Sequence, residues 1–161
     1  MPIAQIDPTL VTRIDFYIAE NNSSHDRLRL CCKIVEKASR QGKRTIIAVD
    51  DRQQAMALDE LMWRFQDDSF LPHTVAPDSL HDCQFATNAR INTVIDSNRH
   101  KYPNADLIIN LCTVRPEHFS QYERLVECIT QEGSTLQIGR DNHQYYKERG
   151  YPIHIHKLGT I

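Results

Sequence analysis

Side chains able to act on a substrate are present in this chain, but their spacing does not bring them together. The acidic pairs Asp50-Asp51 and Asp67-Asp68, with His73, His81, His154 and His156, are the types that hold a metal or run acid–base chemistry. A metal site needs three or more ligands converging from rigid elements. Here the aspartates stand where helix caps and turns are expected, and His154 and His156, alternating on a strand, suit chelation and a solvent-facing edge equally. No metal is expected. No G-x-S-x-G turn exists, and the five cysteines, Cys31, Cys32, Cys83, Cys112 and Cys128, show no C-x-x-C spacing. They read as small buried apolar residues in a reducing cytosol. A phosphate loop would need glycines where the first strand turns into the first helix, and that turn reads Glu20-Asn21-Asn22-Ser23. Neither a catalytic residue nor a cofactor is assigned.

Three stretches carry the chemistry of binding instead. In Asp51 to His73, helical spacing puts Leu58, Leu61, Met62 and Phe65 on one apolar stripe and Met56 and Trp63 on the opposite side. An apolar exit, Phe70-Leu71-Pro72, follows. A helix needs one apolar face for its own core, so the second face is either a partner surface or is covered by a loop of the same chain. Near the end of the chain, Leu136, Arg140, His143 and Lys147 fall within roughly 60° of one another on a helix. Two cations beside an apolar residue and a titratable ring can seat a carboxylate next to an apolar side chain, although such spacing also suits a solvated face. Between Arg27 and Arg44 there are seven Lys or Arg and one acid, Glu36, with Arg29, Lys33, Lys37 and Arg40 on one face. A solvated helix face accounts for that stripe, because the interleaved aromatics of single-strand binders are missing. Direct nucleic-acid contact is expected to be weak or absent.

The elements that must position these residues follow from periodicity. With 161 residues and a net charge of −2, one α/β domain is expected, preceded by a flexible extension over residues 1–12. The start has no signal-peptide pattern, and no apolar run is long enough to cross a membrane, so a cytoplasmic protein is expected. Arg13 to Ala19 reads as a strand. His25 to Gln41 reads as a helix with core stripe Leu28, Cys31, Cys32 and Val35, capped from Asn22-Ser23-Ser24 and ended by Gly42. Thr45 to Val49 is an apolar run suited to a strand buried on both faces. Asp50 and Asp51, each followed three residues on by Gln, open the central helix. Cys83 to Ala86, Ile91 to Ile95 and Leu107 to Leu111 read as strands, and Tyr102 to Ala105 as a turn. A helix is predicted after Pro116, with stripe Phe119, Tyr122, Val126 and Ile129 and a stop at Gly133. Ser134 caps the last helix, and Tyr151 to Ile155 closes the chain as an edge strand. Alternating strands and helices predict a three-layer α/β/α fold with a mostly parallel, Rossmann-like sheet that lacks a nucleotide-binding glycine loop.

Gly42-Lys43-Arg44, Asp50-Asp51, Ala55 through Trp63 and Ser69-Phe70-Leu71-Pro72-His73 form a long ordered series. That series, with Asp15-Phe16-Tyr17 and the closing Arg140 to Tyr151, resembles the chi subunit of bacterial DNA polymerase III. The resemblance covers most of the chain except about 76–104. It implies a non-catalytic adaptor at the replisome, with one surface for the psi subunit, which links it indirectly to the clamp-loader complex. It implies a second pocket for the acidic C-terminal tail of single-stranded DNA-binding protein, ending in Asp-Phe-Pro-Phe. The psi-facing aromatic positions fall on Trp63 and Phe70, flanked by Met56, Leu71 and Pro72. In the tail pocket the family's arginine falls on Arg140, an aromatic and a lysine position on His143 and Gln144, and a further lysine near Leu136. Lys147 stands one turn on, and Ile129 and Ile155 form the apolar wall. The alternative from another class is a small hydrolase or nuclease-like enzyme with a site at the carboxyl ends of the strands.

Overall fold

A computed structural model describes residues 11–65, 71–76 and 91–161. In chain order the elements are β1 (Arg13–Ala19), α1 (Ser24–Arg40), β2 (Thr45–Ala48), α2 (Arg52–Arg64), β3 (Thr74–Val75), β4 (Thr93–Asp96), β5 (Leu107–Asn110), β6 (Arg124–Ile129), α3 (Gly133–Glu148) and β7 (Ile153–Gly159). The strands form one sheet in the order β3-β4-β2-β5-β6-β1-β7, and all six pairings are parallel.

Because both faces of the sheet are covered, successive residues of one strand serve different cores. In β6, Val126 and Cys128 join α1 and α2 residues such as Leu30, Val35, Leu58 and Met62 in one core. Leu125 and Ile129 join Phe16, Tyr146 and Phe119 in the other, beneath α3. The result is the expected α/β/α layering, with α1 and α2 on one face and α3 on the other.

The caps explain where the helices begin. Ser23 accepts a hydrogen bond from the Asp26 amide at 3.1 Å and opens α1. Asp51 accepts from the Gln54 amide at 2.8 Å, and the Gln54 side chain reaches back to the Asp50 amide, also at 2.8 Å. This is close to a reciprocal capping box at α2. The Asp50 carboxylate is used elsewhere, accepting from the Thr113 amide at 2.8 Å and so tying the β5 exit to the start of α2.

The segment after Pro116 corrects the sequence reading. Only Phe119–Gln121 is helical, as a single 3-10 turn, and Arg124–Ile129 is strand β6, interior to the sheet between β5 and β1. The i, i+3, i+7 recurrence of Phe119, Tyr122 and Val126 is coincidental, because a strand buried on both faces is apolar at nearly every position. Gly133 therefore starts α3 rather than stopping a helix. Glu132 occupies the N-cap position without a side-chain bond, which places Ser134 inside the first turn. The two-residue strand β3 was not anticipated, and the Cys83 to Ala86 strand lies outside the described residues. Thr12, assigned to the extension, is buried and donates to the Tyr122 carbonyl at 2.6 Å.

Candidate functional site

Of the carboxylates and histidines first considered as catalytic, Asp50, Asp51, His73 and His156 have structural partners, whereas His154 is exposed on the edge strand. Asp50 and Asp51 hold helix and loop amides, and the His73 side chain is fully buried between Asp59, at 2.7 Å, and the Leu71 carbonyl, at 2.6 Å. Asp67, Asp68 and His81 lie outside the described residues. Among the described residues no three of His, Cys, Asp and Glu gather as a metal site.

On α2, Ala55, Leu58 and Met62 are buried, while Met56 and Trp63 are 46% and 55% exposed on the opposite side. The Trp63 indole lies 5.0 Å from the His73 ring, and the Asp59–His73 contact fixes the loop against the helix below it. Sequence reasoning noted His73 without seeing this role, which requires helix and loop to meet across 14 positions. Pro72 is half-buried beside this surface, whereas Leu71 is only 5% exposed and belongs to the core, so it supports the surface from beneath. Phe70 lies outside the described residues.

On the other face of the sheet, α3 and strands β6, β1 and β7 line a groove of about 830 Å³. All seven residues proposed for the tail pocket line it: Ile129, Leu136, Arg140, His143, Gln144, Lys147 and Ile155. It also takes in Phe16 and Ile18 of β1, with Gly139 and Glu148 of α3, which the sequence reading did not assign. Ile129 is its nearly buried floor and Ile155 an open wall. His143 meets Phe16 edge-on at 5.5 Å. Gly139 had a sequence signal, being an isolated glycine inside a helical pattern. A Cβ there would stand 2.8 Å from Ile129 Cδ1, so the absent side chain lets α3 approach β6.

A buried polar cluster sets the rotation of α3. The Glu127 carboxylate on β6 accepts from Tyr146 Oη at 2.7 Å, Asn142 Nδ2 at 3.2 Å and Asn110 Nδ2 at 3.1 Å. Burial pushes the Glu127 carboxyl above its ordinary range, against the opposing pull of those donors, and burial likewise raises the Tyr146 hydroxyl. With Asn142 and Tyr146 turned inward, Arg140, His143 and Lys147 face the groove. Neither Arg140 nor Lys147 has a carboxylate within ion-pair distance among the described residues. The groove thus offers an apolar floor with two cations, neither in an ion pair among the described residues, and the acid Glu148 on its rim.

The basic stripe of α1 is partly neutralised, with Arg29 paired to Asp26 at 3.1 Å and Arg40 paired to Glu36. Arg27 is buried and donates to the Cys128 and Leu111 carbonyls at 2.9 and 3.3 Å. It joins α1 to the carboxyl ends of β6 and β5. No helix among the described residues is long and apolar enough to cross a membrane.

Comparison with known proteins agrees with this architecture. Over 97% of this chain the fold is similar to "The crystal structure of T4 UvsW", with a TM-score of 0.66 and 7% identity, over 43% of that chain's length. That likeness is one of fold. The DNA polymerase III subunit chi of Pseudomonas aeruginosa is 30% identical over 151 residues, 94% of this chain and 100% of the relative. Its counterpart in Escherichia coli is 28% identical over 142 residues, 86% of this chain and 92% of the relative. Residues 11–154 match the family described as DNA polymerase III chi subunit, HolC. The chain therefore belongs to the DNA polymerase III chi subunit family, accessory subunits in DNA replication.

Proposed function

We propose that this protein is a non-catalytic adaptor of the replicase. It binds the psi subunit through the Trp63 surface and the acidic C-terminal tail of single-stranded DNA-binding protein through the α3 groove. The observation that carries the reading is the pairing, in one groove, of the apolar residues Ile129, Phe16 and Ile155 with the cations Arg140 and Lys147. A peptide ending in an apolar residue with acids before it needs both parts: burial for the ring, and a charge-assisted clamp for a carboxylate. Gln144, at the family's lysine position, supplies no charge, and Lys147 provides it from the next turn. Docking psi at the Trp63 surface would place the link to the clamp loader on a different helix, and the protein would work in the cytoplasm at the replisome.

Calorimetric titration with an acidic peptide ending in Asp-Phe-Pro-Phe, beside the same peptide without its last Phe, tests the tail site. Binding is expected to require the Phe. Arg140→Ala is expected to weaken it by roughly 1 to 3 kcal/mol, and added salt to weaken it further. An Arg140→Ala protein with unchanged affinity would remove this residue from the site, and absence of binding by either peptide would remove the function from the groove.

A further inference from the structure

Most cations gathered between Arg27 and Arg44 are engaged within the protein. Arg27 holds two carbonyls, Arg29 and Arg40 pair with Asp26 and Glu36, and Lys43 pairs with Glu123 at 2.9 Å. Lys33 and Lys37 are exposed, one helical turn apart, and neither has a carboxylate within ion-pair distance among the described residues. Both line a cleft of about 340 Å³ between α1 and the β1–β7 edge of the sheet. Leu30, Ile34 and Leu158, the last 42% exposed, give it apolar surface. None of the side chains that line it is acidic. Tyr17 forms part of the wall and stacks on His156, with ring centroids 4.4 Å apart and planes 14° from parallel. β7 has β1 as its one neighbour in the sheet, so the second face of the His156 ring looks away from Tyr17, over the free side of the edge.

We propose that this cleft is a weak, sequence-independent contact for single-stranded DNA, with phosphates on Lys33 and Lys37 and a base against Leu158 and the outer face of His156. The sequence set nucleic acid aside because α1 carries no aromatic residue among its cations. The fold supplies the rings from β1 and β7 instead, and cations beside an exposed flat ring are what a single strand needs. An acidic peptide suits the cleft less well. Its one guanidinium, Arg124, is already taken by Asp15 and by Tyr17 Oη, both at 2.6 Å, which leaves no fork for a carboxylate. Two ammonium groups spaced along a helix are point charges, suited to a backbone that repeats its own charge. A DNA strand is also what a subunit of a DNA polymerase works beside. The cleft and the α3 groove lie on opposite faces of the sheet, so occupation of one leaves the other open.

The test is fluorescence anisotropy of a labelled oligothymidylate of about fifteen nucleotides, titrated with the full-length protein at several low salt concentrations. Binding is expected at the lowest salt and is expected to fall steeply as salt rises. The double variant Lys33→Gln, Lys37→Gln is expected to lower the slope of log affinity against log salt by about 1.4, at about 0.7 for each lysine. Both lysines are exposed, and an unchanged melting temperature checks that the variant is folded. Arg140→Ala, on the opposite face, is expected to leave the slope as it is. No binding at the lowest salt, or an unchanged slope in the double variant, overturns the proposal. A slope lowered by Arg140→Ala instead places the strand in the α3 groove and overturns it as well. An unlabelled acidic peptide of equal charge that displaces the strand as well as unlabelled oligothymidylate does would make the cleft a site for acidic protein segments, and the assignment to DNA would fail. None of these outcomes bears on the peptide titration of the α3 groove.

Discussion

Asp15 on β1 has a fully buried side chain and three cationic or titratable partners: Arg124 at 2.6 Å, His156 at 2.8 Å and Arg13 at 3.0 Å. Burial pushes its carboxyl up, but the hydrogen bonds from His156 and Arg124, the Arg124 charge and the Arg13 contact together hold it below the usual carboxylate range. A carboxyl whose folded pKa lies below its unfolded one stabilises the fold above the unfolded pKa. That contribution is lost as pH falls through the folded value. Asp15→Asn is therefore expected to lower the unfolding free energy at pH 7 by about 2 kcal/mol, less than a fully enclosed pair because Arg13 and Arg124 reach solvent. Denaturant titrations from pH 7 downward check this. The deficit should begin to shrink below about pH 4, where the carboxyl of the unfolded chain takes up its proton, and should close as pH falls through the lower folded value, and a constant deficit would assign the loss to packing instead. None of this cluster was legible in the sequence. Apart from Arg13, its partners Arg124 and His156 come from strands 109 and 141 positions away, and only the sheet order makes them neighbours. The groove residues of α3 were legible because helical spacing alone puts Arg140, His143 and Lys147 on one side.

Elements were readable where one face of a helix or one apolar run told the whole story, as in α1, α2, β2 and β5. β6 was not, because a strand serving two cores loses its alternation and mimics a helical stripe. That misreading also hid the reason for Gly139, since a helix ending at Gly133 gives α3 no strand to approach. With β6 in place, Gly139 is the point of close contact between α3 and Ile129. Gly139→Ala is expected to leave the protein folded, with helix propensity contributing up to about 1 kcal/mol in its favour. The clash falls on Ile129 Cδ1, the far end of a flexible side chain, which must turn toward the groove. The expected outcome is unchanged or raised thermal stability together with weaker binding of the acidic peptide, read by parallel melting and calorimetry. Loss of stability without loss of binding would mean that the helix moves instead of Ile129.

At the scale of the whole molecule the sheet separates the two surfaces. α2 packs over β3 and β4 on one face, α3 over β6 on the other. From β4 to β1 is four strand spacings in the sheet order, roughly 19 Å at the usual 4.8 Å per strand. Sites that far apart with no shared partner are expected to behave additively. Trp63 is more than half exposed and is anchored through His73 rather than by the core, so Trp63→Ala should cost little stability. The expected result is loss of psi binding with tail-peptide affinity unchanged, and Arg140→Ala should give the converse. The double variant should show the sum of the two single effects in each assay, measured by titration with psi and with the peptide. A Trp63→Ala protein that folds but loses both partners would mean that the sheet transmits a change from α2 to α3. The two surfaces would then be coupled, and an adaptor of that kind would sense one partner before engaging the other.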